Sequence, residues 1–125
     1  MTLQRFEQIT SQYSSKKIAI AGDFCLDRYF EIDPALEETS LETGLPVYNV
    51  IRTRGYPGGA GTVMNNLVAL EAQVFPLGAC GSDPEGWLLT QLLTQTKGCS
   101  LQGWCTSTTV STFTYNKPLL IHPQK

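Results

Sequence analysis

Basic charge is in short supply. Nine Lys and Arg stand against eleven Asp and Glu, a formal net charge of −2. A nucleic-acid binder usually needs a basic field, so nucleic acid is not an expected partner. Long apolar runs are missing too. None approaches the about 18–20 residues that cross a bilayer, so no membrane partner is expected. The segment Met1-Thr2-Leu3-Gln4-Arg5-Phe6-Glu7 mixes polar and acidic residues and is not a signal peptide, so the expected compartment is the cytoplasm. No cysteines stand at Cys-x-x-Cys spacing, and the single histidine, His122, is distant in sequence. A structural zinc site needs tighter ligand spacing, and no metal ligand is assigned. Cys25, Cys80, Cys99 and Cys105 read as reduced thiols, some of them buried. A Cys99–Cys105 disulfide fits the spacing but is the less favoured reading. There is no internal repeat and no low-complexity segment.

What is present is globular. The 125 residues are 42% hydrophobic and 16% charged, which excludes disorder and fits one domain. A chain of this size buries roughly two thirds of its unfolded surface, enough for one core.

Leu3, Phe6, Ile9 and Tyr13 recur at helical spacing and predict an amphipathic helix over 2–14. Ile18-Ala19-Ile20-Ala21-Gly22 predicts a buried strand. Residues 27–33 alternate moderately and start a second strand. The acidic stretch with Glu37, Glu38 and Glu42 reads as a solvated loop, and 47–53 as a β-branched strand. Gly55-Tyr56-Pro57-Gly58-Gly59-Ala60-Gly61 is the strongest turn signal. From Thr62, Val63, Leu67 and Leu70 mark a core-facing helix that ends near Ala72. Residues 73–81 predict a strand, with Pro76 against it. Ser82 and Glu85 fit a capping box, with Pro84 in the first turn of a helix that stops by Gly98. The tail from Thr108, interrupted by Asn116-Lys117-Pro118, reads as a hairpin. Alternating elements give an α/β class with parallel strands. The extended segments between the first strand and the Gly-rich turn require a separate small sheet.

Two constellations could carry chemistry. Gly22-Asp23-Phe24-Cys25-Leu26-Asp27 ends the first strand. Ligands in open α/β sheets bind beyond the carboxyl ends of strands, and carboxylates accept hydrogen bonds from sugar hydroxyls. The competing reading is a turn aspartate plus an Asp27–Arg28 surface ion pair. Gly58-Gly59-Ala60-Gly61 precedes a helix, where the backbone can approach a ligand and N–H groups can donate. It is neither a Walker loop nor a dinucleotide fingerprint, since Met64 stands where the last glycine belongs. The competing reading is a tight turn. Gly81-Ser82-Asp83 reads as a helix cap, Trp87 and Trp104 as packing residues, and His122 as a surface residue.

Taken together, from about Lys17 to the C-terminus, the chain resembles the N-terminal portion of ribokinase-like, PfkB-family carbohydrate kinases. Three motifs carry the likeness. Ile18 to Tyr29 resembles the opening of the branch that phosphorylates heptose phosphate, a strand followed by Gly-Asp-x-x-x-Asp-Arg-Tyr. Pro57-Gly58-Gly59-Ala60-Gly61-Thr62-Val63-Met64-Asn65-Asn66 resembles Pro-Gly-Gly-Ala-Ala-Asn-Val-Ala-Met-Asn. Gly78 to Gly86 resembles Gly-x-x-Gly-x-Asp-x-x-Gly.

The resemblance implies a three-layer α/β/α fold with a small β-sheet lid. Residues 1–16 would be an N-terminal helix, and 28–53 with 109–121 the lid strands. Asp27 falls at a sugar-binding aspartate, Gly58 and Gly59 where the backbone approaches the sugar, and Asp23 is a second candidate for that site. Thr62 stands where the family has a substrate-contacting Asn, and the match can also be shifted toward Asn65. Glu71 stands where the helix usually ends in Gly. The family's catalytic base sits in a downstream Gly-Ala-Gly-Asp motif, which this sequence does not contain. No catalytic residue is therefore assigned. ATP and Mg2+ are implied by the family but not expected to bind this segment, which carries the sugar side and not the ATP-binding half. The expected partners are a sugar or sugar phosphate, with a homodimer through the lid or a chain supplying the missing half. The alternatives are a non-catalytic carbohydrate-binding or regulatory module and one subunit of a split kinase.

Overall fold

The computed structural model describes residues 1–121. His122 lies outside them. In chain order the elements are α1 (Leu3–Thr10), β1 (Lys17–Ala21), β2 (Phe24–Ile32), β3 (Glu38–Thr39), β4 (Pro46–Val47) and β5 (Val50–Gly59). Then follow α2 (Ala60–Ala69), β6 (Gln73–Gly81), α3 (Pro84–Gln95), β7 (Trp104–Ser107) and β8 (Thr114–Leu120).

α1 is shorter than its periodicity predicts. The Thr2 side chain accepts from the Arg5 N–H and starts it, and Tyr13–Ser15 forms a separate 3-10 turn. No residue of α1 is buried.

A parallel sheet runs in the order β1-β6-β7. Pro76 lies in its central strand and is fully buried. The Val74 N–H donates to Gly98 and its carbonyl accepts from Ser100, so both point toward the β7 side. Pro76, two residues on, points the same way. The β7 ladder starts only at Gly78 opposite Trp104, so the missing N–H falls in a gap between rungs.

One face of this sheet is covered. Ile20, Val74 and Cys80 join Met64 of α2 and Leu89 and Leu93 of α3 in a core that also takes in Phe24 and Leu26. Ala19, Ala21, Leu77 and Ala79 point the other way and are exposed. The predicted buried strand 18–22 is thus buried on one face only, because among the described residues the helices lie on one side.

A second sheet has the order β5-β2-β8, with β5 antiparallel and β8 parallel to β2. It is the separate small sheet that the broken α/β alternation requires. Two expectations are corrected here. The Gly-rich stretch is not a turn up to Gly59: residues 55–59 extend β5, opposite Phe24 to Arg28. The tail is not a hairpin: Asn116-Lys117-Pro118 runs inside β8. The Phe113 carbonyl and the Ile121 N–H both face β2, so Pro118 faces the open edge, where no N–H is needed. The acidic stretch carries a 3-10 turn, Pro34–Leu36, and the two-stranded β3-β4 ladder, and is largely exposed.

α3 is capped by Asp83, not Ser82. The Asp83 carboxylate accepts from the Gly86 N–H at 2.7 Å, because Pro84 occupies the first helical position and leaves Asp83 as the flanking residue. Glu85 pairs instead with Arg28 at 3.1 Å. Trp104 packs edge-on against Phe24, with ring centroids 5.2 Å apart. Trp87 is not a packing residue; it is 66% exposed. All four cysteines are free thiols, with Cys25 and Cys80 buried.

Candidate functional site

Alternation along β2 sorts its side chains. Phe24, Leu26, Arg28 and Phe30 share one face, and Cys25, Asp27, Tyr29 and Glu31 the other. The first face packs toward α3, where Leu26 is fully buried and Arg28 meets Glu85. An Asp27–Arg28 ion pair is therefore excluded, since neighbours in a strand point to opposite faces.

On the second face, Asp27 meets Lys117 of β8, Nζ to Oδ1 at 2.8 Å. The same ammonium lies 3.4 Å from the Tyr29 hydroxyl and over the Tyr29 and Tyr115 rings, 4.9 and 5.6 Å from their centroids. Its hydrogen bond to Asp27 holds the Lys117 amine above the ordinary lysine range. Arg54 of β5 continues the polar face, pairing with Glu31 at 2.6 Å.

These side chains wall a cleft of about 520 Å³ lined by Asp23, Cys25, Asp27, Gly59, Phe113, Tyr115 and Lys117. Burial pushes the Cys25 thiol up, Asp27 adds to that, and Lys117 opposes it. The thiol is therefore a poor nucleophile here. A second cavity, about 450 Å³, shares Asp23 and Phe113 and reaches Gly22, Phe24, Ala79 and Ser111.

The floor depends on glycine. Gly59 has φ +59° and ψ −122°, a conformation other residues rarely adopt. A side chain there would also run into the Asp23 carbonyl, which accepts the Ala60 N–H at 2.9 Å. Gly59 thus lets β5 turn into α2 with the backbone pressed against Asp23. Gly58 is buried beneath Asp27 and Cys25.

Of the residues singled out from sequence, Asp23, Asp27 and Gly59 line the cleft and Gly58 adjoins it. Thr62 does not join them; it is exposed in the first turn of α2 and lines neither cavity. Sequence reasoning missed Tyr115 and Lys117. The signal was there as Phe113, Tyr115 and Lys117 at every second position, but the following proline reads as a turn.

Chemically, the cleft offers two carboxylates and one ammonium, flanked by the Phe113 and Tyr115 rings. Such a set accepts hydrogen bonds from hydroxyl groups and gives ring faces for the apolar side of a small polyol.

No family model matches the chain. Among curated proteins, it is 37% identical over 86 residues to the bifunctional protein HldE of Gluconacetobacter diazotrophicus, covering 69% of this chain and 17% of that protein. It is 36% identical over 103 residues to HldE of Citrifermentans bemidjiense, covering 82% of this chain and 20% of that protein. The chain thus spans about a fifth of these relatives' length. Among solved structures, a carbohydrate kinase from Agrobacterium tumefaciens superposes with a TM-score of 0.61 at 23% identity, over 84% of this chain and 32% of that one. The Arabidopsis thaliana ribokinase, solved with ribose and ATP, gives a TM-score of 0.60 at 19% identity over the same shares. These likenesses show the fold: the chain takes up part of the ribokinase-like fold of the solved structures, and its sequence is similar to a stretch of HldE proteins.

Proposed function

We propose that the chain forms the sugar-binding side of an ATP-dependent kinase. The acceptor would be a hydroxyl of a sugar or sugar phosphate, with heptose phosphate the leading candidate from the motif at Asp23 to Tyr29. The observation that carries this reading is the cleft in which Asp27, held by Lys117, stands beside Asp23 above the Gly58–Gly59 backbone.

Lys117 engages Oδ1 of Asp27, which fixes the carboxylate, whose remaining lone pairs would accept a sugar hydroxyl. Asp23 offers a second acceptor at the mouth. The second sheet acts as a lid, its polar face toward the sugar and its apolar face on α3. Phosphoryl transfer rests on positioning and on charge stabilisation at the donor. The ammonium of the cleft is already paired with Asp27. ATP and its metal would be held by residues beyond those in this chain, as would the catalytic base. No step is derived through them.

The test is to express the longest reading frame that contains this chain and measure ADP formation with ribose, fructose and a heptose phosphate. Sugar-dependent ADP release supports the kinase reading. Saturable sugar binding without turnover favours the non-catalytic module. Turnover only with a copurifying second chain identifies a split kinase.

A further inference from the structure

Apart from the Lys117 contacts, β8 has little of its own to fix where it sits. It is an edge strand with one neighbour, its proline faces outward, and Tyr115, Leu119 and Leu120 are exposed. A strand of this kind is weakly specified in register, and a slip of one residue sends every side chain to the opposite face. Such a slip would remove Lys117 from Asp27.

The segment just before β8 is tied down hard. The Thr112 N–H donates to Asp83 Oδ2 at 2.8 Å and the Thr112 hydroxyl to Asp83 Oδ1 at 2.6 Å. That hydroxyl in turn accepts from the Gly81 N–H at 2.8 Å, so its donor and one acceptor site are both used. The chain lies so close that a side chain on Gly81 would meet the Val110 carbonyl at 2.7 Å and the Thr112 nitrogen at 2.8 Å. The hydrogen bonds from Thr112 and Gly86 hold the Asp83 carboxyl below the ordinary aspartate range, so it stays an acceptor. The next residue makes the first rung: the Phe113 carbonyl accepts from Leu26 at 2.9 Å, and Thr114 then stands opposite Leu26.

We infer that Asp83 and Thr112 form a clamp at the start of α3 that sets the register of β8 on β2 and so places Lys117 on Asp27. Neither lines the cleft, so both are positioning residues. The inference rests on the proposed function only in treating that cleft as the binding site. The same helix turn also holds β2, since Glu85 pairs with Arg28, the neighbour of Asp27. The first turn of α3 therefore contacts both β2 and the segment that leads into β8.

The test needs no sugar, so its failure is distinct from failure of the kinase reading. Lysine amines of the chain are labelled with trace acetic anhydride across pH and read by peptide mass spectrometry, which gives a titration midpoint for each lysine. Wild-type Lys117 should titrate above the lysine of a short unstructured peptide labelled in the same mixture. Thr112→Val should bring the Lys117 midpoint down to that of the peptide, and Thr112→Ser, which keeps the hydroxyl, should restore it. Asp83→Asn keeps a helix cap but loses one acceptor to Thr112, and should lower the midpoint part of the way. It supplies the reading if Thr112→Val does not fold. A Lys117 midpoint that stays at the wild-type value in a folded Thr112→Val or Asp83→Asn chain overturns the inference.

Discussion

The two sheets differ in what their open faces are made of. Both pack one face on the helices. On the parallel sheet the opposite face is Ala19, Ala21, Leu77 and Ala79. On the second sheet it is Asp27, Tyr29, Glu31, Arg54 and Lys117, arranged as ion pairs and cation–ring contacts. An apolar face gains by being covered with more protein, whereas a paired polar face is stable against water and able to exchange that water for ligand hydroxyls. The cleft opens on the polar face, whereas a smaller cavity of about 310 Å³ between α1 and α2 is lined mainly by apolar residues such as Ile9, Ile18 and Leu67.

The largest effect should come from a second-sheet residue buried in the common core. Leu26 is fully buried between β5 and α3, so Leu26→Ala should cost about 2–5 kcal/mol in denaturant unfolding. A loss well under that range would mean that the second sheet is not fastened to the core. Gly59→Ala should cost roughly 1–3 kcal/mol, from backbone strain and the collision with Asp23. Glu71 ends α2 with φ +67°, where its N–H donates to Val68 and the next donates to Leu67. This is a helix cap that favours glycine, so Glu71→Gly should stabilise the chain by about 1 kcal/mol. The smallest effect on stability belongs to the open apolar face. Leu77→Ser should change unfolding by under about 0.5 kcal/mol. It should nonetheless reduce self-association in sedimentation velocity, because wild-type chains are expected to associate through that face and its edge strands. A wild-type chain that sediments as a clean monomer would erase the contrast between the two faces.

β1, β6, α2 and α3 were legible in outline from Ile18/Ile20 and the apolar repeats, but β7 was not, and the core face of α2 was misread: Val63 and Leu70 are exposed and Met64 is the buried one. The errors fall where local signals lost to long-range pairing. Residues 55–59 carry turn chemistry but are held extended opposite Phe24 to Arg28. Lys117-Pro118 looks like a turn because nothing local announces a parallel partner such as β2. The cap moved by one residue because Pro84 fixes the helix start more strongly than Ser82 does. Asp23, Asp27 and Gly59, singled out from the strand end and the Gly-rich stretch, all line one cleft. Lys117 was not singled out, since it stands 90 residues from the carboxylate that it pairs with.

The central claim is that Asp27 is the hydroxyl-binding carboxylate of this cleft. Calorimetric titration of the protein with ribose, fructose and a heptose phosphate tests it most directly, comparing wild type with Asp27→Asn. The account predicts saturable binding of at least one of these sugars, weakened about tenfold or more by the substitution, as expected for loss of a charged hydrogen-bond partner. Binding of equal affinity in the two proteins would contradict it.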